Sequence, residues 1–252
     1  DCEMYAPIGP LLTRQLPEVV DFVRMYSYDG SQQVNVGDKA FYEEQIYFAD
    51  PSVFSIFSYK ILHGSAGTAL NNPFEVAITK SKAIKYFGRT DVTGESIEIT
   101  KNLFKIVAVL DDVPANTHLK FGFLISHVTL EKLRNYNEAE YQGNNEFTYL
   151  LMDERADVAT FNKKLEKISL DLKDQIGHDR LLAEPITDIH LHSTKSFEPE
   201  PPGSAQSVYF LMVIAAFLIV IAWINYINLS TPPAVDRARQ VGIRKLMGSV
   251  RA

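Results

Sequence analysis

His190 and His192 are the pair whose residue type and spacing first suggest chemistry. Two residues apart in a strand, they would share one face and make half of a metal site. No third ligand declares itself, and a surface or packed histidine pair is the plainer reading. Glu43-Glu44 and Asp111-Asp112 are paired carboxylates. A general acid/base pair needs a partner geometry that spacing alone does not supply, so both pairs read as solvated loop ends. The single cysteine, Cys2, can form neither an internal disulfide nor a four-cysteine zinc site and reads as an ordinary thiol. None of the 13 glycines is followed by Lys, so there is no P-loop for ATP. G-x-S-x-G, H-E-x-x-H and G-x-G-x-x-G are also missing. The expectation is no enzyme, no cofactor and no metal.

The elements that would position side chains read as β and α interleaved. EVAITK (75–80) alternates as a strand, and Ser81 can cap a short helix that ends at Gly88. SIEIT (96–100), a turn at Lys101-Asn102 and FKIVAVL (104–110) read as a hairpin whose second strand is central. Asp50-Pro51 reads as a helix start, and Ser126 as the cap of a helix through HVTLEKLRNY. FTYLLMD (147–153) reads as a strand. Asp157 caps a helix from Val158 to Ile176 with apolar residues at spacings of three and four, ended by Gly177. LLAEPITDIHLHS reads as extended chain and EPEPPGSAQ as a polar linker. The fold class is α+β, in two subdomains.

Charge divides the chain. Residues 1–206 hold 20 basic and 30 acidic residues; residues 207–252 hold five basic (Arg237, Arg239, Arg244, Lys245, Arg251) and one acidic, Asp236. An acidic large part excludes nucleic acid as its partner. No charged residue lies between Glu200 and Asp236, Val208 to Ile224 is apolar on all sides, and the stretch extends to Leu229. Those 22 residues span about 33 Å as a helix, matching a hydrocarbon core of about 30 Å. The basic flank places the C-terminal side in the cytoplasm and residues 1–206 outside. Tyr209, Phe210, Trp223 and Tyr226 fall at the two interfaces. Asn225 and Asn228 share a helix face and call for a neighbouring helix, or reach interfacial water. Ser230 or Thr231 can cap a further basic helix from Pro232-Pro233, with Val241 and Leu246 on another face. The chain opens on DCEMYAPIGP without initiator Met or signal peptide and reads as a piece of a longer protein.

NYINLSTPPAVDRARQVGIRKLMGS resembles the segment after the second membrane helix of FtsX-like (MacB-type) ABC transporter permeases. That family shows an Asn-Leu-Ser run followed by R-A-x-E-V-G-I-R-K-x-x-G. Gln240 stands where the family usually has Glu, and Pro232-Pro233 interrupt a region of small residues. YFADPSVFSIFSYKILHG (47–64), ALNNPFEVAITKSKAIKYFG (69–88), VTGESI (92–97), FKIVAVLDDVPANTHLKF (104–121) and TDIHLHS (187–193) resemble the family's periplasmic core domain in its Bacteroidetes form.

The resemblance implies a MacB-like periplasmic core domain over 1–206. A porter-like part would cover about 1–70 and 118–206, with an inserted smaller subdomain over about 71–117. A transmembrane helix over 207–229 and a basic cytoplasmic helix over 230–252 would follow, in the inner membrane. It implies a permease that transmits motion from a separate cytoplasmic ABC ATPase to export or efflux work in the periplasm. Such a permease is a homodimer and meets a periplasmic adaptor or substrate. Arg237, Arg239, Val241, Gly242, Arg244, Lys245 and Gly248 would contact the ATPase. The alternative is a membrane-anchored extracytoplasmic sensor.

Overall fold

The runs IYFA (46–49) and FLIS (123–126) are apolar at almost every position, which suits strands covered on both faces. In the computed structural model all eight residues are buried, and the two strands pair in parallel at the middle of the sheet. The described residues are 1–134, 136–141, 143–193, 195–201 and 203–248. They fall into two compact units, one of residues 1–189 and 193–202, the other of residues 190–192 and 203–252.

The first unit runs β1 (Glu3–Met4), α1 (Ile8–Gln15), β2 (Val19–Ser27), β3 (Gln32–Val36), β4 (Lys39–Glu43), β5 (Ile46–Ala49), α2 (Val53–Ile56), β6 (Ile61–Gly64), β7 (Glu75–Thr79), α3 (Lys80–Phe87), β8 (Ser96–Ile99), β9 (Asn102–Leu110), β10 (Phe123–Ser126), α4 (Thr129–Arg134), β11 (Glu146–Met152), α5 (Val158–Asp171) and α6 (Lys173–Ile176). The one-turn helix α7 (Ile189–His192) and the long α8 (Ala205–Leu246) complete the order. The strands form one mixed sheet in the order β1-β11-β2-β5-β10-β7-β9-β8-β3-β4, with β6 added beside β9. The fold is α+β, as expected. Strands β7, β8 and β9, from within 71–117, are continuous with the rest of this sheet.

One sheet face buries Val34, Phe48, Ile78, Phe104, Ile106 and Phe123 under α3; the other buries Met25, Ala49, Ala77, Ala108, Leu110 and Leu124 under α2. A bulge between Val76 and Ala77 shifts β9's parity, so that Ile106 and Val109 share a face while Ala108 joins the other. A third cluster packs Ile8 and Leu12 of α1 against Phe161, Leu165 and Ile168 of α5. Each large side chain buried here stabilises the fold by about 1.5–3 kcal/mol.

Several local signals perform as read. Asp157 accepts a hydrogen bond from the Thr160 amide at 2.8 Å and caps α5, and Gly88 ends α3 at φ 72°. Others yield to tertiary partners. Ser81 does not cap α3; Asp112, thirty-one residues on, accepts from both its amide (2.9 Å) and its hydroxyl (2.7 Å). Asp50 does not cap α2, because its carboxylate holds Arg24. Ser126 ends β10 and donates to the Leu70 carbonyl instead of capping α4. The β8–β9 turn falls at Thr100-Lys101, not Lys101-Asn102, with φ of 47° and 65°. The helix from Val158 breaks at Leu172 into α5 and α6 before Gly177.

Candidate functional site

Helix α8 carries every residue singled out for coupling or packing except Gly248, which follows it at φ 77°. Ser204 opens the helix by accepting from the Ser207 amide at 3.3 Å. Residues Ala205–Thr231 are long and apolar enough to cross a membrane, and none of that stretch is buried within the chain's own fold. Apolar side chains exposed on all sides of a helix are stable in lipid and unstable in water. Asn225 and Asn228 are exposed on this surface, about 60° apart around the axis.

The helix continues through Pro232-Pro233, so the expectation of a new helix starting there is corrected. The hydroxyls of Ser230 and Thr231 do not cap; both donate back to the Ile227 carbonyl, at 3.3 and 2.6 Å. Proline has no N–H, so the carbonyls of Asn228 and Leu229 lose their usual donors four residues on. Beyond this point Arg237, Val241, Arg244 and Lys245 lie along one side of the helix by its 100° step, with Arg239, Gly242 and Leu246 turned away. Val241 therefore joins the basic side rather than Leu246. Arg244 and Lys245 occupy the last turn, where the helix dipole favours cations. Arg251 lies outside the described residues.

The remaining candidates separate. His190 and His192 belong to α7, a helical turn, so the strand on which a shared face was expected is corrected. Among the described residues no three His, Cys, Asp or Glu side chains are placed to hold a metal ion. Asp111 pairs with Lys60 at 3.5 Å, while Asp112 holds the start of α3. Glu43 is not a solvated loop end. It is buried and accepts from Lys82, from Lys85 at 2.7 Å and from the Tyr86 hydroxyl at 2.9 Å, while Glu44 faces water.

The polar centre of the first unit is one that no local motif announces. Register places Arg24, Tyr26, Glu146 and Thr148 on one face of β2 and β11. Asp50 leaves β5 beside them, His127 follows β10, and the segment after α4 brings Tyr136 and Glu138 over the top. Arg24 reaches Asp50 through Nε (2.8 Å) and Nη2 (2.9 Å), and Glu138 through Nη2 (3.1 Å). His127, fully buried, bridges Glu138 (3.1 Å) and Glu146 (3.0 Å). The Tyr136 hydroxyl also donates to Glu146 Oε1. Burial disfavours charge on His127, but its two carboxylate bonds and nearby Asp50 outweigh that and lift it from 6.5 to about 9. The bond from His127, against the cost of burial and with help from Arg24, lowers Glu138 to about 2. The arrangement is an ionic lock between strands and the 136–141 segment. Every acid in it is already engaged by a base or a hydroxyl.

The sequence pattern of the MacB-like periplasmic core domain matches residues 5–168. No curated protein matches the chain. Among solved structures, a domain of a putative permease protein from Porphyromonas gingivalis superposes with a TM-score of 0.61 at 17 % identity, over 74 % of this chain and 89 % of that one. The periplasmic region of MacB from Actinobacillus actinomycetemcomitans gives 0.53 at 14 % identity, over 68 % and 75 %. The extracellular domain of the noncanonic ABC-type transporter YknZ from Gram-positive bacteria gives 0.52 at 12 % identity, over 71 % and 87 %. With a pattern match across most of the sheet and these folds alike, the chain belongs to the family of MacB-like periplasmic core domains of ABC transporter permeases.

Proposed function

We propose that this chain is the periplasmic core and adjoining span of a permease that transmits force from a separate cytoplasmic ABC ATPase. In this reading residues 1–206 lie in the periplasm, 207–229 cross the inner membrane, and 230–252 form the basic cytoplasmic stub. The observation that carries it is the unbroken α8. A helix of 42 residues extends roughly 63 Å, about twice the hydrocarbon thickness. One continuous helix of that length joins the apolar span to the side bearing Arg237, Val241, Arg244 and Lys245. Motion imposed on its basic end would reach the far side of the membrane along one helix, with Pro232-Pro233 as its weakest point. The permease works as a dimer, with Asn225 and Asn228 turned to a neighbouring helix. Its outer unit acts on an adaptor or substrate in export.

Affinity purification of the intact protein from its own membranes tests the reading. A stoichiometric ABC ATPase subunit is the expected companion. Recovery of a kinase or cyclase instead would establish the sensor reading.

A further inference from the structure

The polar, proline-rich stretch before the span reads in sequence as a free linker, yet residues 195–201 belong to the compact unit of the sheet and are held there. The Cys2 amide donates to the Ser196 carbonyl at 3.1 Å. The Cys2 thiol donates to the Phe197 carbonyl, with Sγ 2.8 Å from the oxygen. Lys120 Nζ lies 2.6 Å from one oxygen of Glu200 and 2.7 Å from the other. The Ser193 hydroxyl donates to Glu198 at 2.6 Å. Phe197 adopts φ 64°, a left-handed conformation unfavourable for a bulky residue, and the residue is 67 % exposed. Packing of the ring does not explain that strain; presenting the carbonyl to Cys2 does.

The two anchors grip different parts of the sheet. Cys2 precedes β1, which pairs with β11 at one end of the strand order. Lys120 lies between Leu119 and Phe121, both buried in the cluster under α2, on the segment that enters β10. β10 is bonded to β5 and β7 in the middle of the sheet.

We propose that residues 195–201 are a strap that carries motion of α8 into the sheet, with the Lys120–Glu200 pair and the two Cys2 contacts as its clasp. The proposal rests on the force-transmitting reading above. Five Cα steps separate Glu200 from Ala205, a reach of at most about 18 Å. With the clasp open the next buried hold is Ser193, and the slack grows to at most about 43 Å. A closed clasp passes a pull on α8 to β1 and β10; an open one absorbs it.

Cys2 is the one cysteine of these 252 residues, and labelling resolved at the Cys2 peptide reports the clasp. Burial, with Glu198 and Glu3 nearby, pushes that thiol up to about 12, so labelling of the closed state is slow. In the intact protein, Lys120→Glu and Glu200→Lys should each raise the maleimide labelling rate of Cys2 about tenfold. The double swap should return it to the wild-type rate. Unchanged labelling in both single variants would overturn the clasp. Transmission is read by hydrogen exchange of the intact protein with its ATPase, with and without ATP. The wild type should show an ATP-dependent change over 118–126 that both single variants lose and the double variant regains. A change in α8 that leaves 118–126 untouched in the wild type would overturn the strap while sparing the force-transmitting reading. No ATP-dependent change anywhere in the protein would overturn that reading, and the strap's role with it.

Discussion

His127 Nε2 lies 3.0 Å from Glu146 Oε1, and neither residue is more than 1 % exposed. A buried ion pair of this kind adds little when intact, because desolvation offsets the attraction; it is costly when half of it is removed. Here the pair is one link in a lock that also holds Asp50 and Glu138 through Arg24. Arg24→Met should leave the Asp50 carboxylate without its bidentate partner and destabilise the outer unit by about 3–5 kcal/mol. Urea unfolding of that unit checks it, and a loss under about 1 kcal/mol would show that the lock carries no strain when opened.

The same lock sets a pH dependence. His127 is raised in the fold, so its stabilisation is complete below 6.5 and is lost as pH rises through about 9. Glu138 is lowered, so its stabilisation is complete above 4.5 and is lost as pH falls through about 2. The groups facing them are Arg24, Asp50, Glu146 and Tyr136, whose hydroxyl is held protonated by burial and by Glu146. The lock's own contribution to melting temperature should therefore be constant between about pH 4.5 and 6.5 and fall on both sides. His127→Gln should flatten the alkaline limb; an unchanged limb would assign it to another group.

Glu43 and Glu44 make a sharper contrast than their adjacency suggests. Glu43→Ala removes the acceptor of two lysines and the buried Tyr86 hydroxyl, and should cost about 1–3 kcal/mol. Glu44→Ala, at an exposed position, should stay within about 0.5 kcal/mol. Equal effects in denaturant unfolding would mean the Glu43 cluster is not formed in solution.

Lys101 adopts φ 65° at the β8–β9 turn, where a two-residue hairpin needs left-handed backbone. Lys101→Gly should stabilise the outer unit by roughly 0.5 kcal/mol or more, since relief of strain exceeds the added freedom of the unfolded chain. Destabilisation would place the strain elsewhere in the turn.

These residues also show which parts of the fold local patterns could foretell. The span, the central strand 104–110 and the Asp157 cap depend on neighbours within one turn or one strand, and periodicity reports them directly. Asp50-Pro51 carries as clear a local signal, but the carboxylate is taken by Arg24, twenty-six residues away. The lock is not legible locally because Arg24 lies 114 residues from Glu138 and joins the face of Glu146 only through the pairing of β2 with β11. Its one trace is a polar residue in or directly after an apolar run, Arg24 within FVRMY and His127 after FLIS. The single helix through Pro232-Pro233 was hidden for a different reason. Proline at a first helical turn and proline inside a long helix present the same letters, and only the continuation decides.

The central claim is that α8 couples an ATPase to the outer unit through its basic side. The direct measurement is ATP hydrolysis by the ATPase reconstituted with the intact permease, comparing wild type with Arg244→Glu/Lys245→Glu. The account predicts that the double variant keeps the outer unit's melting temperature and loses the permease-dependent part of the ATPase rate. Full retention of that dependence, with the variant correctly inserted and folded, would contradict it.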